Sequence, residues 1–362
     1  MKNREDLSTS NIDYVFGVFA ILIFFLSINL ISTGASILGK DTALSILSFA
    51  SNPFMAMFLG ILTTVILQSS STTTTLIVAL VASNSLTLNY AIPMVMGANI
   101  GTTITSTIVS LSYMTRPDEF RKAIAAASVH DFFNIIIVSI TLPLELKYGL
   151  LSKLSKALTA QLNLSYSNNS SYSGITSLSQ PVIDFLAAFL NPIAIIVLGF
   201  FLLLLAIKLF AKVLYKRIFS GSNRLGSLFF GNKFKTFGFG LLSTSLIQSS
   251  SLLTSLMVPV VVGGKMKLRE AFHFILGANL GTTVTALIGA LFQSEAALSL
   301  ALVHCIFNVV GVAIFLITPL AERLPIFLAE RLGFFTFKNR LVGFIYILSI
   351  FFLIPALLIF LV

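Results

Sequence analysis

Apolar positions run along this chain in blocks, interrupted at regular places by short polar clusters. Blocks of about 20 residues, enough for a helix to cross some 30 Å of hydrocarbon at about 1.5 Å per residue, occupy roughly 14–38, 90–111, 122–146, 182–207, 270–292, 296–320 and 341–361. Each is predicted to be a transmembrane helix. Two regions fall short. Met55 to Leu67 and Thr72 to Ser83 are apolar pieces of about a dozen residues, and Phe234 to Ile247 with Leu252 to Val262 make a matching pair. No single arm crosses. Each pair is predicted to form a re-entrant helical hairpin, with its tip at Gln68-Ser69-Ser70-Ser71 or at Gln248-Ser249-Ser250-Ser251. Irregular backbone at membrane depth is tolerated only where protein buries it or a cavity borders it, so both tips belong inside the molecule.

The polar clusters are duplicated. Gln68 returns as Gln248, Gly60 as Gly240, Asn52 as Asn232, and Gly97-Ala98-Asn99-Ile100-Gly101-Thr102-Thr103 as Gly277-Ala278-Asn279-Leu280-Gly281-Thr282-Thr283, each 180 residues later. His130 with Asn134 returns as His304 with Asn308 at a slightly shorter offset. A hairpin makes no net crossing, so each repeat contributes an odd number of crossings and the second must be inverted. The expected architecture is an all-α polytopic membrane protein of two inverted-topology repeats, each with a re-entrant hairpin and a broken helix, plus one extra C-terminal span. Residues 1–148 form the first repeat, 149–181 an exposed outer linker loop, 182–320 the second repeat, and 321–362 an inner loop and the last helix.

Composition agrees with a membrane protein: 56% of the 362 residues are hydrophobic and 10% charged, against about a quarter charged in soluble domains. The net charge of +10 is an orientation signal. With the N-terminus cytoplasmic, only Lys40, Lys147, Lys153 and Lys156 of the 23 basic residues fall in outer segments, as the positive-inside rule requires. A nucleic-acid partner is thereby excluded, and lipid is the expected surrounding. The first apolar run is too long for a signal-peptide core and is read as a retained span. Cys305 is the sole cysteine, which rules out an intrachain disulfide. The linker contains Asn163-Leu164-Ser165, Asn168-Asn169-Ser170 and Asn169-Ser170-Ser171, triplets common by chance in a Ser-rich loop. Lys208, Lys212 and Lys216, spaced i, i+4, suggest a helix leaving the bilayer through the inner headgroups.

Four consecutive polar residues in an apolar run need a compensating reason, because each unsatisfied group in hydrocarbon costs several kcal/mol. A lone Ser or Thr bonds back to its own helix; Gln has no such local solution. The quartets Gln68, Ser69, Ser70, Ser71 and Gln248, Ser249, Ser250, Ser251 therefore read as a ligand cradle, where the N-terminus of each second arm offers free N–H groups to an anion. The glycine-flanked Asn99, Thr102, Thr103 and Asn279, Thr282, Thr283, with Thr74 and Thr254, supply neutral oxygens suited to Na⁺. The competing reading of these glycines is close helix packing. His130, Asn134, His304 and Asn308 are expected either to surround that site or to form a structural hydrogen-bond network. Asp131 has Cys305 as its counterpart, and neither it nor His273 is assigned a role.

With these motifs in place, the chain resembles the type II sodium-phosphate cotransporters. The resemblance rests on the doubled Gln-Ser-Ser-Ser, the doubled Gly-Ala-Asn-Ile/Leu-Gly-Thr-Thr, and the run from Phe120-Arg121-Lys122-Ala123 through Val129-His130-Asp131-Phe132-Phe133-Asn134 to Leu142-Pro143-Leu144-Glu145. It implies a symporter, not an enzyme, with inorganic phosphate as substrate, Na⁺ as coupling ion, no other cofactor and alternating access. The compact form implies a bacterial member in an inner, plasma membrane. The residues alone reach a cation-coupled carrier of a small anion, which leaves another oxyanion, a carboxylate, an ion channel or an intramembrane serine hydrolase as alternatives. Oligomeric state and sodium stoichiometry are not encoded in these motifs.

Overall fold

The structure is a computed structural model that describes residues 16–34, 37, 52–162, 174–219, 231–291, 293–354 and 357. Among these residues every regular element is a helix. The first group is α1 (Phe16–Gly34), α2 (Pro53–Leu67), α3 (Ser70–Ala82), α4 (Leu88–Gly101), α5 (Ile104–Leu111), α6 (Pro117–Tyr148) and α7 (Leu150–Gln161). The chain continues through α8 (Gly174–Phe189), α9 (Pro192–Phe219), α10 (Lys233–Ile247), α11 (Ser250–Val262), α12 (Leu268–Gly281), α13 (Thr283–Ala290) and α14 (Glu295–Ile317). It closes with α15 (Pro319–Lys338) and α16 (Arg340–Leu348), which runs into a π-helical turn, Ser349–Leu353. Among the described residues, five stretches are long and apolar enough to cross a membrane: Phe16–Gly34, Leu88–Leu111, Pro117–Tyr148, Leu268–Ala290 and Glu295–Ile317.

Glycines decide how the short helices lie. A Cβ added at Gly60 would sit 2.0 Å from the Met94 carbonyl oxygen, one at Gly97 2.0 Å from that of Met57, and one at Gly101 2.7 Å from that of Ile61. Backbone thus meets backbone along α2 and α4, and from the Met57–Gly97 contact to the Ile61–Gly101 contact both positions advance by one turn, so the two helices run parallel. The equivalents Gly240, Gly277 and Gly281 meet the carbonyls of Phe274, Phe237 and Leu241 at 2.1, 2.0 and 2.7 Å, which makes α10 and α12 parallel in the same way. The close-packing reading of these glycines holds. Since α4 starts only five residues beyond α3, α3 must return antiparallel to α2. The start of α2 and the end of α3 then lie at one end of the pair, and α2 and α10, 15 residues each, are about 22 Å long.

The long helix α6, 32 residues and about 48 Å, gives the frame. The start of α4 meets its C-terminal end, where Asn89, Tyr90 and Pro93 share a cavity with Glu145 and Gly149. The start of α12 meets its N-terminal end, where Lys267 and Leu268 share a groove with Arg121 and Lys122. Helices that correspond in sequence therefore begin at opposite ends of α6. Between them the halves interlock: α5 packs on α11, α13 on α3, α15 along α6 and α7 along α14.

Four expectations change. Of the predicted linker loop, Leu150–Gln161 is the helix α7 and the stretch from Gly174 onward belongs to α8. Glu145 accepts from the backbone N–H groups of Leu151 and Ser152 and from the Ser152 hydroxyl, and Leu151, Ser155 and Thr159 form the buried stripe. The inner loop after residue 320 is the helix α15, whose buried face is Glu322, Pro325, Ala329, Gly333 and Thr336. The predicted span 182–207 is two helices: Pro192 disfavours a helical Asn191, and Asn191 Oδ1 caps α9 by accepting from Ala194 N–H at 2.8 Å. The glycine-flanked clusters do not unwind. Gly97 to Gly101 stay helical, and the interruption at Thr102–Thr103, matched at Thr282, keeps right-handed helical dihedrals. The Asn163, Asn168 and Asn169 triplets, the side chains of Lys208, Lys212 and Lys216, and the ends of the first and last predicted spans lie outside the described residues.

Candidate functional site

Each quartet forms the turn between two helices. Gln68 closes α2 at φ 51° and ψ 29°, and Gln248 closes α10 at φ 56° and ψ 27°. This left-handed conformation usually falls to Gly and costs other residues roughly 1–2 kcal/mol. A glutamine in it at both copies points to a requirement for the side chain. Ser69 Oγ then caps α3 by accepting from Thr72 N–H at 3.3 Å, and Ser249 Oγ caps α11 by accepting from Leu252 N–H at 3.4 Å. Ser70, Ser71, Ser250 and Ser251 follow in the first helical turns and are buried, where the first N–H groups of a helix lack partners within it. Ser251 Oγ is itself buried without a partner.

The two tips differ in setting. Gln68 is exposed; Gln248 is buried and borders a cavity of about 110 Å³ with Phe24 and Phe25 of α1, Ala206 of α9 and Ile288 of α13. The helices behind them, α3 and α11, touch.

At the centre six of the predicted residues converge. Asn99 Oδ1 accepts from His304 Nε2 at 3.1 Å, and Asn279 Oδ1 accepts from His130 Nε2 at 3.0 Å. Asn99 Nδ2 donates to Asn308 Oδ1 at 3.0 Å, while Asn279 Nδ2 donates to Asn308 Oδ1 at 2.6 Å and to Asn134 Oδ1 at 3.1 Å. Asn134 Nδ2 donates to the Asn99 carbonyl and Asn308 Nδ2 to that of His304. Every His–Asn side-chain bond crosses between halves, which ties α4, α6, α12 and α14 into one knot. All six residues are buried, and Nδ1 of each histidine has no partner.

The threonines assigned to sodium hold their hydroxyl protons locally. Thr102 donates to Ala98 O, Thr103 to Ile100 O, Thr282 to Ala278 O, Thr283 to Leu280 O and Thr74 to Ser70 O. A hydroxyl that donates still presents its oxygen lone pairs, so these bonds leave the oxygens able to coordinate a cation. Thr254 Oγ1 accepts from Ser106 Oγ at 3.3 Å. The Asn99 and Asn279 amide oxygens each already take a histidine N–H.

Asp131 was passed over in the sequence. Its carboxylate is fully buried; Oδ2 accepts from the Tyr346 hydroxyl of α16 at 3.0 Å and Oδ1 has no partner. Thr103 lies against Asp131, as Thr283 lies against Cys305. An acidic residue inside an apolar span was the available signal.

Two cavities lie at the starts of α2 and α10. One, about 570 Å³, is lined by Asn52, Asn89, Tyr90, Glu145, Lys153 and Lys156 among others. The other, about 320 Å³, includes Asn232, Lys233, Arg269, Glu270 and His273, so Asn52, Asn89, Tyr90 and Pro93 of the first are replaced by their 180-residue counterparts. At this second end Arg269 donates to buried Glu322 at 2.5 and 2.9 Å, His273 Nε2 lies 2.9 Å from the same carboxylate, and Lys233 donates to Leu316 O at 3.1 Å. The Arg269 hydrogen bonds hold the Glu322 carboxyl below the usual carboxylate range.

The Na+/Pi-cotransporter family model matches residues 23–158 and 202–334. The sodium-dependent phosphate transport protein 2B of Bos taurus is 30% identical over 94% of this chain and 64% of its own length. The 2A protein of Mus musculus is 29% identical over 92% of this chain and 65% of its own. The 2C protein of Rattus norvegicus is 32% identical over 75% and 59%. The chain thus spans less than two thirds of the length of these relatives. No solved structure matches it. With five helices able to cross a bilayer and a family match over both halves, the chain is an integral membrane protein and belongs to the Na+/Pi-cotransporter family.

Proposed function

We propose that this chain is a sodium-coupled symporter of inorganic phosphate, a transporter rather than an enzyme, working by alternating access in the plasma membrane. The reading takes residues 1–148 and 182–320 as inverted repeats, α2–α3 and α10–α11 as re-entrant hairpins, and the N-terminus as cytoplasmic. Phosphate is held between Gln68–Ser71 and Gln248–Ser251 by the hydroxyls and by the free amides that open α3 and α11. Sodium is coordinated by oxygens of Thr74, Thr102, Thr103, Thr254, Thr282 and Thr283, with Asn99 and Asn279 at the remaining positions. His130, Asn134, His304 and Asn308 hold those asparagines in place. The names of the relatives, which are sodium-dependent phosphate transport proteins, support the choice of substrate and coupling ion.

One observation carries the mechanism: helices that correspond in sequence start at opposite ends of α6, while the second arms that follow the quartets touch between them. Two equivalent hairpins entering from opposite sides make a shared pocket that two mirror-related states expose to one side or the other. Charge explains the coupling. No Lys or Arg occurs between Lys40 and Arg116 or between Lys235 and Lys265, so phosphate at the quartets finds its positive potential in helix N-termini and in bound sodium. Asp131 balances that sodium. The test is uptake of radiolabelled phosphate into proteoliposomes: the reading requires saturable uptake that collapses when choline replaces sodium and that excess sulfate or succinate does not suppress. Sodium-independent uptake would overturn it.

A further inference from the structure

At the end of α6 opposite Glu145, a groove of about 400 Å³ runs between the first turns of α6, the α11–α12 turn and α15. Its rim carries Arg121 and Lys122 from α6 and Lys267 from the start of α12; its floor is Ala125, Val261 and Met266, all buried. Two other cations near this end have carboxylates: Arg116 sits 2.9 Å from Glu119, and Arg269 reaches Glu322. Among the described residues, the charged groups of Arg121, Lys122 and Lys267 have no carboxylate oxygen within 4.0 Å; Glu270 accepts from the Lys267 backbone N–H, and Glu330 lines the far side. Three unpaired cations above a hydrocarbon floor are the complement of one charged, two-tailed molecule.

The neighbouring helix α15 has the same mixed chemistry. Leu324, Phe327 and Phe335 are exposed on it, the Arg331 guanidinium lies 5.1 Å from the Phe327 ring and the Lys338 ammonium 4.6 Å from the Phe334 ring. Aromatic rings interleaved with basic side chains are characteristic of a helix at the headgroup level of a bilayer. The groove and α15 meet at Glu330, so a helix with headgroup-level chemistry borders the basic rim. A free oxyanion would gain nothing from Ala125, Val261 and Met266; a phospholipid would bury its chains there.

We propose that this groove binds an anionic phospholipid, with the phosphodiester between Arg121, Lys122 and Lys267 and an acyl chain over Met266. Basic pockets between membrane helices bind anionic headgroups in this way. The site is separate from the transport cargo and stands or falls on its own.

The test uses the full chain in detergent with dioleoylphosphatidylglycerol or dioleoylphosphatidylcholine added, read by melting midpoint and by native mass spectrometry. Phosphatidylglycerol is expected to raise the midpoint by roughly 5 °C and to remain bound as a defined adduct, where phosphatidylcholine does neither. The triple variant Arg121→Gln, Lys122→Gln, Lys267→Gln is expected to lose on the order of 100-fold in affinity, at about 1 kcal/mol per cation. The charge-keeping triple Arg121→Lys, Lys122→Arg, Lys267→Arg should retain binding, as should Lys147→Gln, Lys153→Gln, Lys156→Gln at the opposite end. If the first triple does not fold, Lys267→Gln alone should weaken binding about fivefold. Equal response to both lipids, an equal loss in the opposite-end variant, or displacement of the adduct by millimolar inorganic phosphate would each overturn the proposal.

Discussion

Behind the first tip, α3 opens Ser70-Ser71-Thr72-Thr73-Thr74-Thr75 and all six residues are buried; behind the second, α11 opens Ser250-Ser251-Leu252-Leu253-Thr254-Ser255, and Leu252 and, a turn later, Leu256 are each 42% exposed. The cause is packing: Ala79 of α3 is covered by Phe24 and Ile28 of α1 and Leu203 of α9 in one apolar cluster. Acidity is unequal too, since Asp131 stands where the other half has Cys305. The backbone of the two halves is thus alike while their polar content is not. Under the proposed mechanism, likeness of backbone would serve the exchange between two states, and unlike polar content would let the two halves hold different ions. The largest test of the likeness is steric. Gly97→Ala and Gly277→Ala each drive a Cβ to 2.0 Å from a carbonyl oxygen, and overpacking on rigid backbone is expected to cost about 3 kcal/mol or more. Both should fail to give a monodisperse protein. Gly238→Ala, where a Cβ meets nothing within 4 Å, should melt at or above the parent temperature.

The next largest effect separates the two ends. Glu322 is buried and joins α15 to α12 through Arg269 and His273, whereas Glu145 holds only the adjacent turn of its own half. Glu322→Gln should destabilise by about 1–3 kcal/mol, read from melting of the purified protein. The sign with pH follows from the depressed carboxyl. Its contribution is complete above the unfolded value of about 4.3 and is lost as pH falls through the lower folded value. The gap between wild type and variant should therefore be constant from pH 6 to 8 and close below about pH 4. A gap that widens on acidification would show that Glu322 is not the charged partner.

Much of this layout was legible in the chain. The short helices α2, α3, α10 and α11 fall within a few residues of their predicted bounds because short apolar runs ending at a polar quartet leave a helix little choice. The i, i+4 spacing of His130 with Asn134 located one face of α6, and its copy one face of α14. What spacing alone does not contain is the partner: His130 meets Asn279, not Asn99, because the halves cross, and crossing is a property of the packed pair. The helices α7 and α15 were hidden for another reason. Ser152, Lys153 and Lys156, or Glu322, Arg323 and Glu330, lower the apolar average of a window while leaving the helical stripe intact, so a test for spans discards what a test for periodicity keeps. Gly97 and Gly277 belong to the clusters where a broken helix was expected, yet in a parallel pair of helices the missing side chain serves contact.

A smaller effect addresses the unequal polar content directly. Asp131→Asn removes the carboxylate but keeps an acceptor for the Tyr346 hydroxyl, so the fold should be little changed. The sodium concentration for half-maximal phosphate uptake should rise about tenfold or more, as loss of one desolvated ionic contact of about 1.4 kcal/mol requires. Cys305→Ser, at the equivalent position, should leave the sodium dependence as it was. Equal shifts in both variants would mean that the two halves contribute alike to the ion.

The smallest expected change in stability is at the tips themselves, and it is the most discriminating. Gln68 and Gln248 both hold a left-handed backbone that glycine adopts freely. If the turn geometry were all that mattered, Gln68→Gly and Gln248→Gly would be improvements: relief of roughly 1–2 kcal/mol offset by glycine's entropic cost of about 0.5–1 kcal/mol. Melting temperatures should accordingly be unchanged or slightly raised in both. Phosphate uptake should nonetheless fall in both, because the carboxamide that the strained residue carries is removed from the cradle. Gln68 is exposed and Gln248 is enclosed by α1 and α9, so any recovery of uptake by Gln→Asn should be greater at position 68, where the neighbours leave room for a shifted amide. Stable variants with full uptake would reduce both glutamines to turn residues, and the duplicated quartet would then have to be explained by its serines alone.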